Sequence, residues 1–305
     1  MPLPIILTLL SSFIWAITSY IDKYVLCKID NFNNSLKTTL IFSTLIVGII
    51  FSPIWLIKLK FNIFINFNIL IIILISTLCY ILSMFFYFKA LENNDTSIVA
   101  SMFQLVPIFS YILSGIFFNE ILSLKELIGA IIIILSAIII SYDFDNNNNK
   151  NKTIALLYMF FSSMFEAVYY FTFEISMRNS NYELSSFWYQ VFLLLIGVIL
   201  INIKSYKNSF INMLKVNGKK FINLNFFNES LNLIANLMVN FANLTIPIAI
   251  ANTLNSFQGF FVFFIGIIGT MFFPKFISED LSMENIVQKI LCITFSLIGI
   301  FIMFY

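Results

Sequence analysis

Phe67-Asn68-Ile69-Leu70-Ile71-Ile72-Ile73-Leu74-Ile75-Ser76-Thr77-Leu78-Cys79-Tyr80-Ile81-Leu82-Ser83-Met84-Phe85-Phe86-Tyr87-Phe88 runs for 22 residues without one charged side chain. A helix needs about 20 mostly apolar residues to cross the hydrocarbon of a bilayer. The run is continuous and does not alternate, so it reads as a spanning helix and not as a barrel strand. It closes on Lys89-Ala90-Leu91-Glu92-Asn93-Asn94-Asp95, after which a second apolar run begins.

The same reading extends in both directions. Spans are predicted at 3–27, 36–57, 67–91, 96–119, 124–142, 152–177, 185–203, 221–245, 247–273 and 286–305. The expected fold is therefore an all-α integral membrane protein with ten transmembrane helices. Composition agrees: 60% of the residues are apolar and 10% charged, against about 25% charged in soluble domains. A soluble chain would expose that surplus as one sticky patch. Met1-Pro2-Leu3-Pro4 carries no basic residue and no cleavage signature follows the first run, so that run reads as a retained span. The segments between spans are short and polar; Lys204 to Lys220, with five lysines, reads as the longest loop.

The chain also repeats. Leu10-Ser11-Ser12-Phe13-Ile14-Trp15-Ala16 aligns with Phe161-Ser162-Ser163-Met164-Phe165-Glu166-Ala167 at an offset of 151, which also sets Ala100 on Ala251 and Gln104 on Asn255. Phe117-Phe118-Asn119-Glu120-Ile121-Leu122-Ser123 matches Phe272-Phe273 and then Glu279-Asp280-Leu281-Ser282 once four residues are inserted. Two repeats are expected, 1–147 and 148–305, divided by the asparagine-rich stretch Asp143 to Lys152. Five spans per repeat is an odd number, so the second repeat enters the membrane inverted, an arrangement used for alternating access.

Tyr87-Phe88-Lys89-Ala90-Leu91-Glu92, Ser97-Ile98-Val99-Ala100, Gln104-Leu105-Val106-Pro107-Ile108-Phe109, Phe118-Asn119-Glu120 and Ile128-Gly129, with Trp15 and Lys23 upstream, resemble the EamA-type members of the drug/metabolite transporter superfamily. The resemblance implies ten helices around a central cavity lined by helices one, three, four, six, eight and nine, with five and ten packed outside. It also implies transport of a small solute, in a family whose substrates range from amino acids to nucleotide sugars and drugs. The second half departs from the pattern: Gln258 stands near the place of Pro107, and Glu279 is recovered only with the insertion.

An ionisable group inside a span is costly and so a functional candidate. Glu166, halfway along span six, is the sharpest: a carboxyl held there can carry a proton, or it can be a static hydrogen-bonded group. Glu174 has Arg178 one turn on and reads as their pair. Asn225, Asn228, Asn232, Asn236, Asn240 and Asn243 advance 18 residues in five turns, the helical period, so they form one stripe with Glu229 at its edge. Such a stripe cannot face lipid without leaving amides unsatisfied. It either lines a wet cavity or joins helices. The candidate substrate-binding residues are Trp15, Gln104, Glu166, Tyr170, Glu229, Asn232, Asn236 and Asn255; Glu166 is the coupling candidate and Pro107, which removes a backbone hydrogen bond, the hinge candidate. Phe, Ile, Asn, Lys and Tyr are residues of A+T-rich codons, so the abundance of asparagine counts for less than its phase.

The chain has no histidine and its three cysteines, Cys27, Cys79 and Cys292, are far apart, so no metal, cofactor or disulfide framework is expected. A net charge of +2 gives no reason for a nucleic-acid partner. The expected partners are a small-molecule substrate, protons and the lipid bilayer, for a monomer or homodimer in a bacterial plasma membrane. The alternatives are a non-transporting scaffold or sensor, which would normally add a soluble domain, and a membrane-embedded enzyme, for which no catalytic constellation is present. Loops after odd-numbered spans carry 13 basic residues and those after even-numbered spans carry four. The positive-inside rule thus sets both termini outside; the family resemblance implies the opposite.

Overall fold

The computed structural model describes residues 3–118, 123–141, 149–243, 245–246, 251, 254–255 and 257–304. The sequence-predicted Glu120, and most of the 143–152 divider, lie outside them. The described residues form helices α1 (Leu3–Lys28), α2 (Phe32–Ile41), a π-helical stretch (Phe42–Ile46), α3 (Val47–Lys58), α4 (Phe67–Leu91), α5 (Thr96–Met102), α6 (Leu105–Phe118), α7 (Leu124–Ser141), α8 (Asn149–Asn179), α9 (Tyr182–Asn202), α10 (Lys204–Asn243), α11 (Gln258–Phe272) and α12 (Met283–Phe304). Asparagines start two of them by accepting an orphan N–H: Asn31 from Asn34 (3.0 Å) and Asn181 from Leu184 (2.7 Å).

Among the described residues, six stretches are long and apolar enough to cross a membrane: Leu3–Lys28, Phe32–Lys58, Phe67–Leu91, Thr96–Phe117, Thr153–Asn179 and Tyr182–Asn202. Their outer faces are greasy, as lipid requires. On α4, Ile71, Ile75, Leu78 and Leu82 are exposed at spacings of three and four residues.

The expected span at 96–119 is present as Thr96–Phe117, built of two helices with a break at Phe103 and Gln104. Two expectations need correction. The lysine-rich segment 204–220 is not a loop: α10 begins at Lys204, because Tyr206, Phe210, Met213 and Leu214 recur at helical spacing and no proline interrupts them. Only at Asn217 (φ −127°, ψ 18°) does its backbone leave the helix, and α10 kinks there. Lys289, counted above with the loops, lies inside α12 and is 3% exposed.

The chain forms two compact units. Unit 1 comprises residues 1–24, 86–164 and 230–305, and unit 2 residues 25–85 and 165–229. In unit 1, α7 and α12 lie close: a Cβ on Gly299 would sit 2.8 Å from the Gly129 carbonyl oxygen, and the Ser136 and Ser296 hydroxyls are 2.6 Å apart. In unit 2, α9 approaches the Leu45–Gly48 backbone so closely that a Cβ on Gly197 would lie 2.5 Å from Leu45 N. Small residues at such crossings are how helices pack in lipid, where apolar surface alone gives no drive to associate.

Candidate functional site

In unit 1 the span made by α5 and α6 is interrupted. Pro107 has no N–H to offer the Phe103 carbonyl four residues back, so Val106 takes that carbonyl instead (2.9 Å). Phe103 and Gln104 likewise bond three residues back, to Ala100 (3.2 Å) and Ser101 (3.4 Å). The interruption thus lies just before the hinge candidate. At the start of α11, Phe257 has nearly the same backbone angles as Phe103 (φ −63°, ψ −12° against −62°, −14°).

The interruption meets the start of α11. A Cβ on Gly259 would sit 3.3 Å from Ser101 Cα and 3.5 Å from Gln104 Nε2. Around this crossing the polar groups of α1 converge. Ser12 donates to Asn255 Oδ1 (3.4 Å), and Gln258 Nε2 donates to Ser19 Oγ (3.1 Å) and the Trp15 carbonyl (3.4 Å). Gln104 Oε1 and Asn255 Nδ2, both buried, have no hydrogen-bond partner among the described residues. Buried polar atoms are nearly always satisfied. One left over costs about 1–3 kcal/mol. Trp15 lies on the buried side of α1, with Thr8, Ser11, Ser19 and Asp22, yet is itself only half-buried.

Unit 2 holds the carboxyl of Glu166. Ser83 and Tyr170 hydrogen-bond to it. Tyr169 stacks on Tyr170 (ring centroids 4.9 Å) and on Tyr80 (5.2 Å), and Tyr189 closes the group at 5.8–5.9 Å from Tyr80 and Tyr169. At about 100° per residue, Glu166 falls in the middle of the arc of α8 marked by the buried Met159, Ser162, Ser163, Tyr169 and Phe173. It is nonetheless half-buried, as is Tyr170, while those neighbours are closed off. The accessible surface therefore faces the buried side of the helix. Among the described residues no lysine or arginine pairs with Glu166.

The asparagine stripe faces inward. Asn225, Asn228 and Asn240 are buried, Asn232 and Asn236 half-buried, while Phe226, Phe227, Ile234, Leu237 and Phe241 are exposed on the other faces of α10. Asn225 and Asn236 each donate to the carbonyl four residues back, at 2.9 and 2.8 Å. Glu229 is buried and accepts a hydrogen bond from Ser43 in the π-helical stretch. Glu174 pairs with Arg178 at 2.6 Å, as its spacing predicts. Lys23 donates to the carbonyls of Leu91, Glu92 (3.3 Å) and Asn94 (3.1 Å), so it caps the negative end of α4.

Sequence reading missed one cluster, also in unit 1. Lys289 Nζ lies 2.9 Å from Glu279 Oε2 and 2.8 Å from Asp95 Oδ2. Glu279 also accepts from the Ser97 hydroxyl and N–H (3.2 Å), and the Tyr20 hydroxyl stands within reach of both Val262 O (2.8 Å) and Glu279 Oε1 (3.2 Å). Gly266 leaves the room: a Cβ there would lie 2.4 Å from the Tyr20 hydroxyl. Burial, joined by the Asp95 charge, pushes the Glu279 carboxyl above the ordinary carboxylate range, against the pull of Lys289. Asp280 next to it is held below that range by the Ser282 N–H (2.8 Å). The signal was there, since a lysine four residues into a predicted span demands a partner.

Residues 2–142 match the sequence model of the EamA-like transporter family. Among curated proteins, none matches. One solved structure that matches, titled "Crystal structure of protein", is 11% identical, covering 98% of this chain and 94% of its own with a TM-score of 0.48. A transporter-family sequence on a chain with this many long apolar helices makes it a multi-pass membrane protein. It is over residues 2–142 that the chain matches the EamA-like transporters, the family that its own residues 84–140 resemble.

Proposed function

We propose that the chain is a secondary transporter that moves a small polar or amphipathic metabolite by alternating access, across a bacterial plasma membrane, through ten crossings arranged as inverted repeats 1–147 and 148–305. The observation that carries this reading is the meeting of the α5–α6 interruption with the start of α11 in unit 1, with unpartnered amide atoms on Gln104 and Asn255. Discontinuous helices whose ends meet inside a repeat fold are how such transporters build solute sites. The division into units supports the repeat. Each unit draws on both halves of the chain, unit 2 taking 25–85 and 165–229 and unit 1 the rest.

Glu166 is the coupling group in this reading. Its partners are hydroxyls, which can accept from a protonated carboxyl as readily as they donate to an ionised one. Trp15, Tyr170, Glu229, Asn232 and Asn236 contribute to the solute path. A thermal-shift screen of metabolites on the purified protein selects substrates, and uptake of the hits into proteoliposomes under a proton gradient tests the reading. Glu166→Gln abolishes proton-driven uptake and leaves the melting temperature within a few degrees of wild type. Unchanged uptake removes Glu166 from the mechanism, and a screen in which no solute gives flux removes transport itself.

A further inference from the structure

From Leu184 to Asn228 the chain has five lysines and no acidic residue. The first part of α10, Lys204 to Asn217, carries three of them on a surface helix about 21 Å long. Ser209, Phe210 and Met213 turn inward and are buried. Lys204, Lys207 and Lys215 fall within about 80° on the opposite side, with Asn208, Asn212 and the exposed Ile211 among them; Lys219 follows past the kink. None of these four ammonium groups makes an ion pair or hydrogen bond to a described residue.

Polar contacts fix the height of this helix within unit 2. Asn217 donates to the Ile29 carbonyl (3.0 Å), just beyond the end of α1. Ser209 donates to Asn34 Oδ1 (3.0 Å), and Lys37 to Ser205 Oγ (2.8 Å), both in the first turns of α2. The helix therefore lies across the ends of two spanning segments, where the hydrocarbon gives way to headgroups. Four ammonium groups cannot enter hydrocarbon, so their stems lie along the interface and their charges among the headgroups. The opposite end of unit 2 differs: Lys58 pairs with Glu183 (3.2 Å) and Arg178 with Glu174, so its charge is largely neutralised.

We propose that the outward face of residues 204–219 is a docking site for anionic lipid headgroups of the adjoining leaflet. A cationic helix face at the interface gains affinity from each lysine, roughly fivefold per residue, and Ile211 supplies an apolar point among the charges. The inference stands apart from the solute that is carried.

The test is native mass spectrometry of the full-length protein released from detergent, titrated with phosphatidylglycerol or phosphatidylcholine. Wild type retains phosphatidylglycerol in preference. The variant K204Q/K207Q/K215Q/K219Q loses the preference by more than tenfold with an unchanged melting curve, while K58Q/K60Q keeps it. Equal retention of the two lipids by wild type overturns the proposal, as does a preference that survives the four substitutions or falls equally in K58Q/K60Q. Displacement of the lipid by soluble polyglutamate at matched charge would reassign the face to an acidic protein partner.

Discussion

Glu279 in unit 1 and Glu166 in unit 2 are both carboxylates withdrawn from water, but their surroundings differ. Glu279 is held by a lysine, a serine hydroxyl, a backbone N–H and a tyrosine, and its side chain is 3% exposed. Glu166 has two hydroxyl partners and keeps accessible surface. A fully satisfied buried charge is costly to disturb and belongs to the scaffold. A carboxyl with neutral partners can change its proton or its neighbour without leaving a countercharge stranded. Under the proposed function stability falls to one and transport to the other, and substitutions at each test that division.

The largest effect is expected at Lys289. Lys289→Met strands Glu279 and should destabilise the protein by about 3–5 kcal/mol, read as a fall in melting temperature in detergent. The pH dependence has a definite sign. Removing Lys289 removes the main pull that opposes burial and Asp95, so the folded state holds the Glu279 proton more tightly than the unfolded chain does. The stability that proton brings is present in acid and lost as pH rises through the raised value. The deficit of Lys289→Met should therefore be smallest at low pH and grow toward neutrality; a deficit that stays flat would show that Lys289 acts by packing and not by charge.

Gly266→Ala comes next. The added methyl meets the Tyr20 hydroxyl at 2.4 Å and Glu279 Cγ at 3.1 Å, and overpacking of this kind costs about 1–3 kcal/mol. Tyr20→Phe removes the clashing oxygen, so the double variant should lose less than the sum of the two single ones. Additive losses would mean that the methyl is accommodated elsewhere.

These two sites also mark what could be read in advance. The spans at 3–27 and 67–91 were legible because continuous apolar length is a local property; α1 and α4 fall within one residue of those limits. Glu166 was legible for the same reason, as one charge in an apolar run. The 96–119 interruption was harder, since Pro107 announces a disturbance but its effect appears three residues upstream. The Glu279–Lys289–Asp95 cluster joins residues up to 194 positions apart, so Lys289 announced the need for a partner without saying which residues supply it. Segment 204–220 was misread because its lysines outweigh its apolar residues in a sum, although the apolar ones keep helical phase.

The smallest effect sharpens the comparison most. Tyr170→Phe and Tyr20→Phe each delete one hydroxyl that hydrogen-bonds a buried carboxyl. Each should cost about 1 kcal/mol or less in stability, so melting curves will not tell them apart. Transport should. The Tyr170 hydroxyl is one of two polar partners of Glu166, and its loss should displace the pH profile of solute uptake while the maximal rate persists. The Tyr20 hydroxyl serves a carboxyl already neutralised by Lys289, and its loss should leave that profile where it stands in wild type. If both variants displace the profile, the two carboxyls are coupled and the division of roles fails. If neither does, Glu166 is as much a part of the scaffold as Glu279.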